Sequence, residues 1–344
     1  ISIGLGLANI IRPGDYVSGE AKNSLVAQYR ADASEKAKTT ADQPSVTEKI
    51  LDIIPENPVR SLASGEMLQI IFFAIFFGTA LTLISKRGAA KVLGIFEAVN
   101  DAMVVCVEII MKIAPYGVFA LLVKVVGQSG MSVLRALVVY ALVVMGGLAI
   151  HSLAVYTSVV KFFGKIGARD FWRAIRPAQL IAFSTSSSSA TLPVTMDCAK
   201  TRLGVSREVF SFVLPLGSTV NMDGTALYQG VAAVFIAQVF NIHLTLMDQL
   251  TVVLTATLAS IGAAGVPGVG VFTLTLVLTS IGVPTVGVAL ILGIDRLLDM
   301  FRTIVNVTGD MAAAIMVAAT EGEKLSYRDV VADGSEPPEN ESRG

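Results

Sequence analysis

Six charged or amide side chains are gathered in one apolar stretch, ILGIDRLLDMFRTIVNVTGDMAAAI at 291–315: Asp295, Arg296, Asp299, Arg302, Asn306 and Asp310. On an α-helix turning about 100° per residue, with Asp295 as origin, Asp299 falls near ~40°, Arg302 near about −20°, Thr303 near ~80°, Asn306 near ~20° and Asp310 near ~60°. They form one stripe, with Arg296 at its rim, and the opposite face is Leu, Ile, Val and Ala. Charges inside a membrane-length apolar segment are costly, so such a stripe faces a protein interior or a cavity. A guanidinium there can grip a carboxylate through two parallel hydrogen bonds. A carboxylate one turn earlier suits an ammonium. The other reading of the stripe is a ladder of structural ion pairs between helices.

A second polar group lies in NMDGTALYQG at 221–230, where Asn221, Asp223 and Thr225 surround Gly224, downstream of Gly217. Glycines let a helix unwind and expose carbonyls. Carbonyl, amide and carboxylate oxygens suit Na+ rather than a thiolate-seeking metal. The alternative is a kinked helix whose polar groups are satisfied locally. A third group is the serine run Ser186–Ser189 in STSSSSATLP. Hydroxyls and free amide N–H groups at half-helix ends suit a carboxylate. Serine runs are often linkers, but this one is flanked by apolar half-spans and followed by Leu192 and Pro193.

The elements that position these groups are membrane elements. The chain is 53% hydrophobic and only 15% charged, against about a quarter charged in soluble domains. Its net charge of −1 offers no field for nucleic acid. Cys106 and Cys198 read as small buried hydrophobes. Two histidines, His151 and His243, are too few for a metal site and are expected near a membrane surface.

Residues 1–11 read as the end of a truncated membrane helix, and 12–60 as an extracellular loop with an interfacial helix at 46–54. Residues 61–164 read as scaffold and connecting helices, with spans at 67–85, 92–126 and 133–160, the second bent by Pro115 and Gly117. Lys and Arg at 86–91 and 161–176 place those connections in the cytoplasm. Within 165–320, SIGAAGVPGVG breaks the apolar segment 247–283 as the serines break 170–204. Each half is too short for a bilayer of about 30 Å, and such backbone is tolerated only against protein or water. The expected transport core is therefore hairpin 1 at 170–204, a helix at 208–240, hairpin 2 at 247–283 and a helix at 286–318. A cytoplasmic tail follows at 321–344. The fold class is an all-α, multi-span membrane transporter with two re-entrant helical hairpins in inverted repeats. A serine protease is disfavoured because neither histidine is near the serine tip. An aspartyl dyad is disfavoured because Arg302 lies between Asp299 and Asp310 on one helix. Hairpins on both sides suit alternating access better than a continuous pore.

TSSSSATLPVT, LPLGSTVNMDGTALYQG, ASIGAAGVPGVG and GIDRLLDMFRTIVNVTGD resemble the glutamate/aspartate transporter family, the dicarboxylate/amino acid:cation symporters. The resemblance runs from Ile1 to about Thr320 and implies a homotrimer of elevator-type carriers whose first spans precede Ile1. By resemblance, Arg302 binds the substrate side-chain carboxylate and Asp299 its amino group. Ser186, Ser187, Ser188, Thr225, Val266, Pro267, Gly268, Val269, Gly270, Thr303 and Asn306 complete that pocket. Gly217, Asn221, Asn306 and Asp310 match one Na+ site. Thr219, Met222, Ser260, Ile261 and Ala263 match a second, and Asn221 with Asp223 part of a third. Relatives that carry an extra arginine place it where this chain has Ser186 or Met300, so Arg296 is expected to stand in beside Asp299, unless it reaches water or a scaffold residue. The resemblance implies a Na+-coupled symporter of L-glutamate or L-aspartate, not an enzyme, in the cell membrane among lipid. The alternative is a proton-coupled or C4-dicarboxylate symporter.

Overall fold

The computed structural model describes residues 1–23, 26–27, 54–64, 67–261, 263, 265–323, 325 and 327. The interfacial helix expected at 46–54, of which only Ile54 is described, and the tail beyond 327 lie outside them. Every regular element among the described residues is helical.

The chain divides into two compact units, residues 25–117 and residues 1–24 with 118–344. The second unit opens the chain with α1 (Ser2–Ile11) and a turn of 3-10 helix at Pro13–Tyr16. The first holds α2 (Pro58–Ser64), α3 (Met67–Leu83) and most of α4 (Lys86–Ser129). Asn57 starts α2 by accepting the backbone N–H groups of Val59 and Arg60 on its side-chain oxygen. Phe77 of α3 meets Phe96 of α4 edge to face, 6.0 Å between centroids. Helical hydrogen bonding in α4 continues through Pro115 and Gly117. The expected bend there does not end the helix.

The rest of the second unit begins with α5 (Met131–Ile150), which continues through two π-helical turns to Gly164. Met131–Gly164 is the one helix among the described residues that is by itself long and apolar enough to cross a membrane. Then come α6 (Ala168–Thr185), α7 (Ser188–Asp197), α8 (Arg207–Val220), α9 (Asp223–Val239), α10 (Leu246–Ile261), α11 (Val269–Ser280) and α12 (Val288–Thr320).

Two helices organise this unit. Every residue of α9 from Gly224 to Val239 is buried. A helix enclosed on all sides must be small or apolar all round, and GTALYQGVAAVFIAQV meets that demand. It packs on α1, α10, α11 and α12, while α12 also packs on α5, α6 and α8. The pairs α6/α7 and α10/α11 flank this centre.

Irregular backbone interrupts the helices around this centre at three places among the described residues. Between α6 and α7 the chain turns at Ser186, whose φ of 53° is left-handed. Ser187 then caps α7 by accepting the Ala190 N–H at 3.1 Å. Between α10 and α11 the described backbone at 265–268 turns, ending on Gly268 at φ 80°. The sequence expects one helix over 208–240 that can unwind near its glycines. The chain leaves the helix at Asn221 and Met222, with φ/ψ near −98°/64° and −99°/58°.

Close approach fixes where α12 begins. A Cβ on Gly287 would sit 2.3 Å from Ile236 Cγ2 and 3.0 Å from Phe240 Cε2. Gly287→Ala should therefore destabilise the fold by about 1–3 kcal/mol through overpacking, read as a lower thermal-unfolding midpoint. Ile236→Ala in the same background should recover part of the loss. An unchanged midpoint for Gly287→Ala would show that α9 and α12 are not packed this tightly.

Candidate functional site

The polar stripe of α12 faces inward as a unit. Asp295, Asp299, Arg302, Thr303, Asn306 and Asp310 are all buried, and Arg302 is 1% exposed. A guanidinium taken out of water needs carboxylates and hydrogen bonds around it. Arg302 Nη2 donates to Asp299 Oδ1 at 2.7 Å. Its Nη1 lies 3.1 Å from Asp295 Oδ1, an ion pair that lacks hydrogen-bond alignment. The ring of Tyr228 from α9 lies under the guanidinium, 3.9 Å from Cζ to the centroid. Among the described residues, Arg302 Nε and Nη1 remain buried donors without a hydrogen-bond partner. Buried donors of this kind mark a place for an acceptor.

Asp295 is the residue that sequence reasoning placed on the stripe but not in the site. Its spacing of seven from Arg302, two helical turns, was the available signal. Asp299 has a second partner, because its Oδ2 accepts the Gly268 N–H at 2.8 Å. Arg296, expected beside Asp299, makes no hydrogen bond or ion pair with it, and its Nη1 is buried without a hydrogen-bond partner among the described residues. The cation beside Asp299 is Arg302 itself.

The two inter-helix turns meet beside this cluster. Ser187 Oγ donates to the Gly265 carbonyl at 2.6 Å, and the Ser189 N–H reaches the same oxygen at 3.3 Å. A Cβ on Gly265 would lie 2.5 Å from Ser189 Oγ, so only glycine permits the contact. Ser186 and Ser188 are buried, and Ser186 Oγ has no hydrogen-bond partner among the described residues. A Cβ on Gly270, at the start of α11, would be 2.8 Å from Arg302 Nη1. Val266, Pro267, Gly268 and Val269 are half-buried in the turn between. Thr225 accepts from Asn306 Nδ2 at 3.2 Å, and Thr303 Oγ1 donates to the Asp299 carbonyl at 2.8 Å. The candidate substrate residues thus lie on four elements around Arg302.

The first candidate cation set also comes together. A Cβ on Gly217 would be 2.6 Å from Asp310 Oδ1. Asn221 Nδ2 donates to that oxygen at 3.2 Å, and Asn306 Oδ1 accepts the Gly224 N–H at 2.8 Å. Asp310 is 3% exposed, yet no cationic side chain pairs with it among the described residues. A buried carboxylate with no cationic partner among the described residues, beside the Asn221 amide and the closely approaching Gly217 backbone, fits a hard cation such as Na+.

The second set is looser. Met222, Ser260 and Ala263 are buried, but Thr219 and Ile261 are exposed. Among the described residues no hydrogen bond joins Thr219 or Met222 to 260–263; the Ser260 hydroxyl is turned to the Thr257 carbonyl. Asp223 stands on the other side of the break, held by Tyr156 at 2.8 Å and His151 at 3.3 Å. His151 faces this polar cluster through its contact with Asp223. No α-helical spacing links it to Tyr156, so the sequence carried no signal for the pairing.

The sequence profile of the sodium:dicarboxylate symporter family matches residues 1–320. The chain is 40% identical over 323 residues to the proton/sodium-glutamate symport protein of Bacillus subtilis, covering 94% of this chain and 73% of that protein. It is 37% identical over 327 residues to human excitatory amino acid transporter 1, covering 94% of this chain and 58% of the relative. It is 35% identical over 322 residues to the proton/glutamate-aspartate symporter of Escherichia coli, covering 93% and 72%. A profile match over residues 1–320 together with relatives of 35–40% identity over most of the chain shows that it belongs to the sodium:dicarboxylate symporter family.

Proposed function

We propose that this chain forms the carrier body of a Na+-coupled symporter for acidic amino acids, L-glutamate or L-aspartate. The observation that carries this reading is Arg302, enclosed beside the meeting turns with Nε and Nη1 unmatched by any hydrogen-bond acceptor among the described residues. A substrate side-chain carboxylate supplies the acceptors those donors lack. Asp299 receives the ammonium, which lets it exchange its hold on Arg302 for a substrate cation. Ser186 Oγ, without a hydrogen-bond partner among the described residues, suits the α-carboxylate. Na+ held by Asp310, Asn306, Asn221 and the Gly217 carbonyl supplies the coupling charge, with Thr219, Met222 and 260–263 as a second set and Asp223 with Asn221 as part of a third. The names of the relatives, glutamate symporters and excitatory amino acid transporters, support the substrate class.

In this reading α6/α7 and α10/α11 are re-entrant hairpins, and the core they form with α8, α9 and α12 moves across the membrane as an elevator. The carrier is multi-pass and, by likeness to the family, a homotrimer. The exposed apolar side chains of α3, Ile75, Phe76 and Leu83, suit lipid.

Uptake of labelled aspartate, challenged with glutamate, succinate and alanine, tests the substrate class. Glutamate should compete and succinate should not, because a second carboxylate placed at Asp299 is repelled. Equal competition by succinate would remove Asp299 from the ammonium role. Replacing Na+ by choline at fixed pH should abolish aspartate binding; affinity that survives the exchange would favour proton coupling, which the names of several bacterial relatives include. Arg302→Cys should weaken aspartate binding by at least about a hundredfold, since truncating one partner of a buried charged pair costs ~3 kcal/mol. A small neutral amino acid should then bind instead, because the amino and α-carboxylate contacts remain. Undiminished aspartate affinity in a folded Arg302→Cys protein would refute the assignment.

A further inference from the structure

The segment that follows α5 is π-helical at His151–Tyr156. On an α-helix, residues five apart point about 140° away from each other. The wider π turn closes its hydrogen bonds between residues i and i+5 and brings such residues onto one face. His151 and Tyr156 use that turn. Their rings meet edge to face at 4.7 Å between centroids, and both reach the same atom, Asp223 Oδ2. A carboxylate only accepts, so Tyr156 Oη donates its hydrogen and His151 presents a protonated Nε2. Tyr156 is wedged where it fits only because residue 309 is glycine: a Cβ there would be 2.6 Å from Tyr156 Oη and 2.9 Å from Asn221 Nδ2. Among the described residues no donor reaches Asp223 Oδ1.

We infer that His151 and Tyr156 are positioning residues for cation coupling: the π turn clamps Asp223 by Oδ2 and leaves Oδ1 as the ligand at the Asn221–Met222 break. The inference rests on the Na+-coupled reading above. A carboxylate ligand held by two donors enters the cation shell already oriented, and outer partners of this kind commonly carry ten- to a hundredfold of metal affinity. The clamp also links α5, through Asp223 and Asn221, to Asp310 on α12, where the first cation set lies. The helix break, the π turn and Gly309 are thereby parts of one arrangement.

The test is Na+-dependent aspartate binding by the purified carrier, titrating Na+ at fixed aspartate and aspartate at saturating Na+. His151→Ala should raise the half-saturating Na+ concentration roughly tenfold and lower the Hill coefficient for Na+. Aspartate affinity at saturating Na+ should change much less. His151→Gln, whose amide Nε2 can replace the imidazole donor, should restore the Na+ response. Tyr156→Phe, which keeps the ring and removes the second donor, should shift Na+ dependence in the same direction as His151→Ala. Na+ curves unchanged in both His151→Ala and Tyr156→Phe overturn the inference. So does a loss in His151→Ala that Gln does not rescue, which would mark a packing role. Wild-type binding that ignores Na+ overturns instead the symport reading on which the inference depends.

Discussion

The burial of the Arg302 guanidinium is the constraint around which the unit formed by 1–24 and 118–344 is arranged. A fixed positive charge in a dry interior has to be met by carboxylates close by, and the same helix supplies them at the spacings that reach it, Asp299 at three residues and Asp295 at seven. The aromatic face of Tyr228 closes the side that carboxylates leave open. That contact requires α9 to lie directly on α12, which its continuous buried sequence of small and apolar residues permits. The cluster is nevertheless incomplete. Donors on Arg302 and a hydroxyl on Ser186 lack hydrogen-bond partners among the described residues, and buried polar groups left unsatisfied call for an explanation such as a place for a ligand.

Backbone that leaves the helix surrounds this charge. The turns after α6 and α10 touch through the Gly265 carbonyl, and the break between α8 and α9 lies against Asp310 and Asp223. Each interruption frees N–H or carbonyl groups that an intact helix would consume. Asn306 ties the halves together, accepting from Gly224 and donating to Thr225 one turn from both Arg302 and Asp310.

Glycine appears in these places for reasons of space. At 217, 265, 270 and 309 the Cβ of any other residue would fall within 3 Å of a site atom: Asp310, Ser189, Arg302 or Tyr156. These positions let backbone come closer to functional side chains than ordinary packing allows.

The sequence by itself determined the stripe. Helical periodicity placed Asp295, Asp299, Arg302, Thr303, Asn306 and Asp310 on one face, and burial of that face follows from the cost of charge beside apolar neighbours. It also marked the interruptions, because Ser, Gly and Pro runs cannot be carried through an apolar segment as regular helix. It did not determine who pairs with whom. Arg296 was as near to Asp299 in spacing as Arg302; only the packed structure turned Arg302 over Tyr228 and paired it, rather than Arg296, with Asp299. The clamp on Asp223 was further out of reach, since a spacing of five signals nothing on an α-helix, and the π turn that unites His151 with Tyr156 is a product of packing rather than of local propensity. One-dimensional periodicity fixes which face a residue occupies; contacts between faces of different helices depend on how those helices dock, and docking is a property of the whole fold.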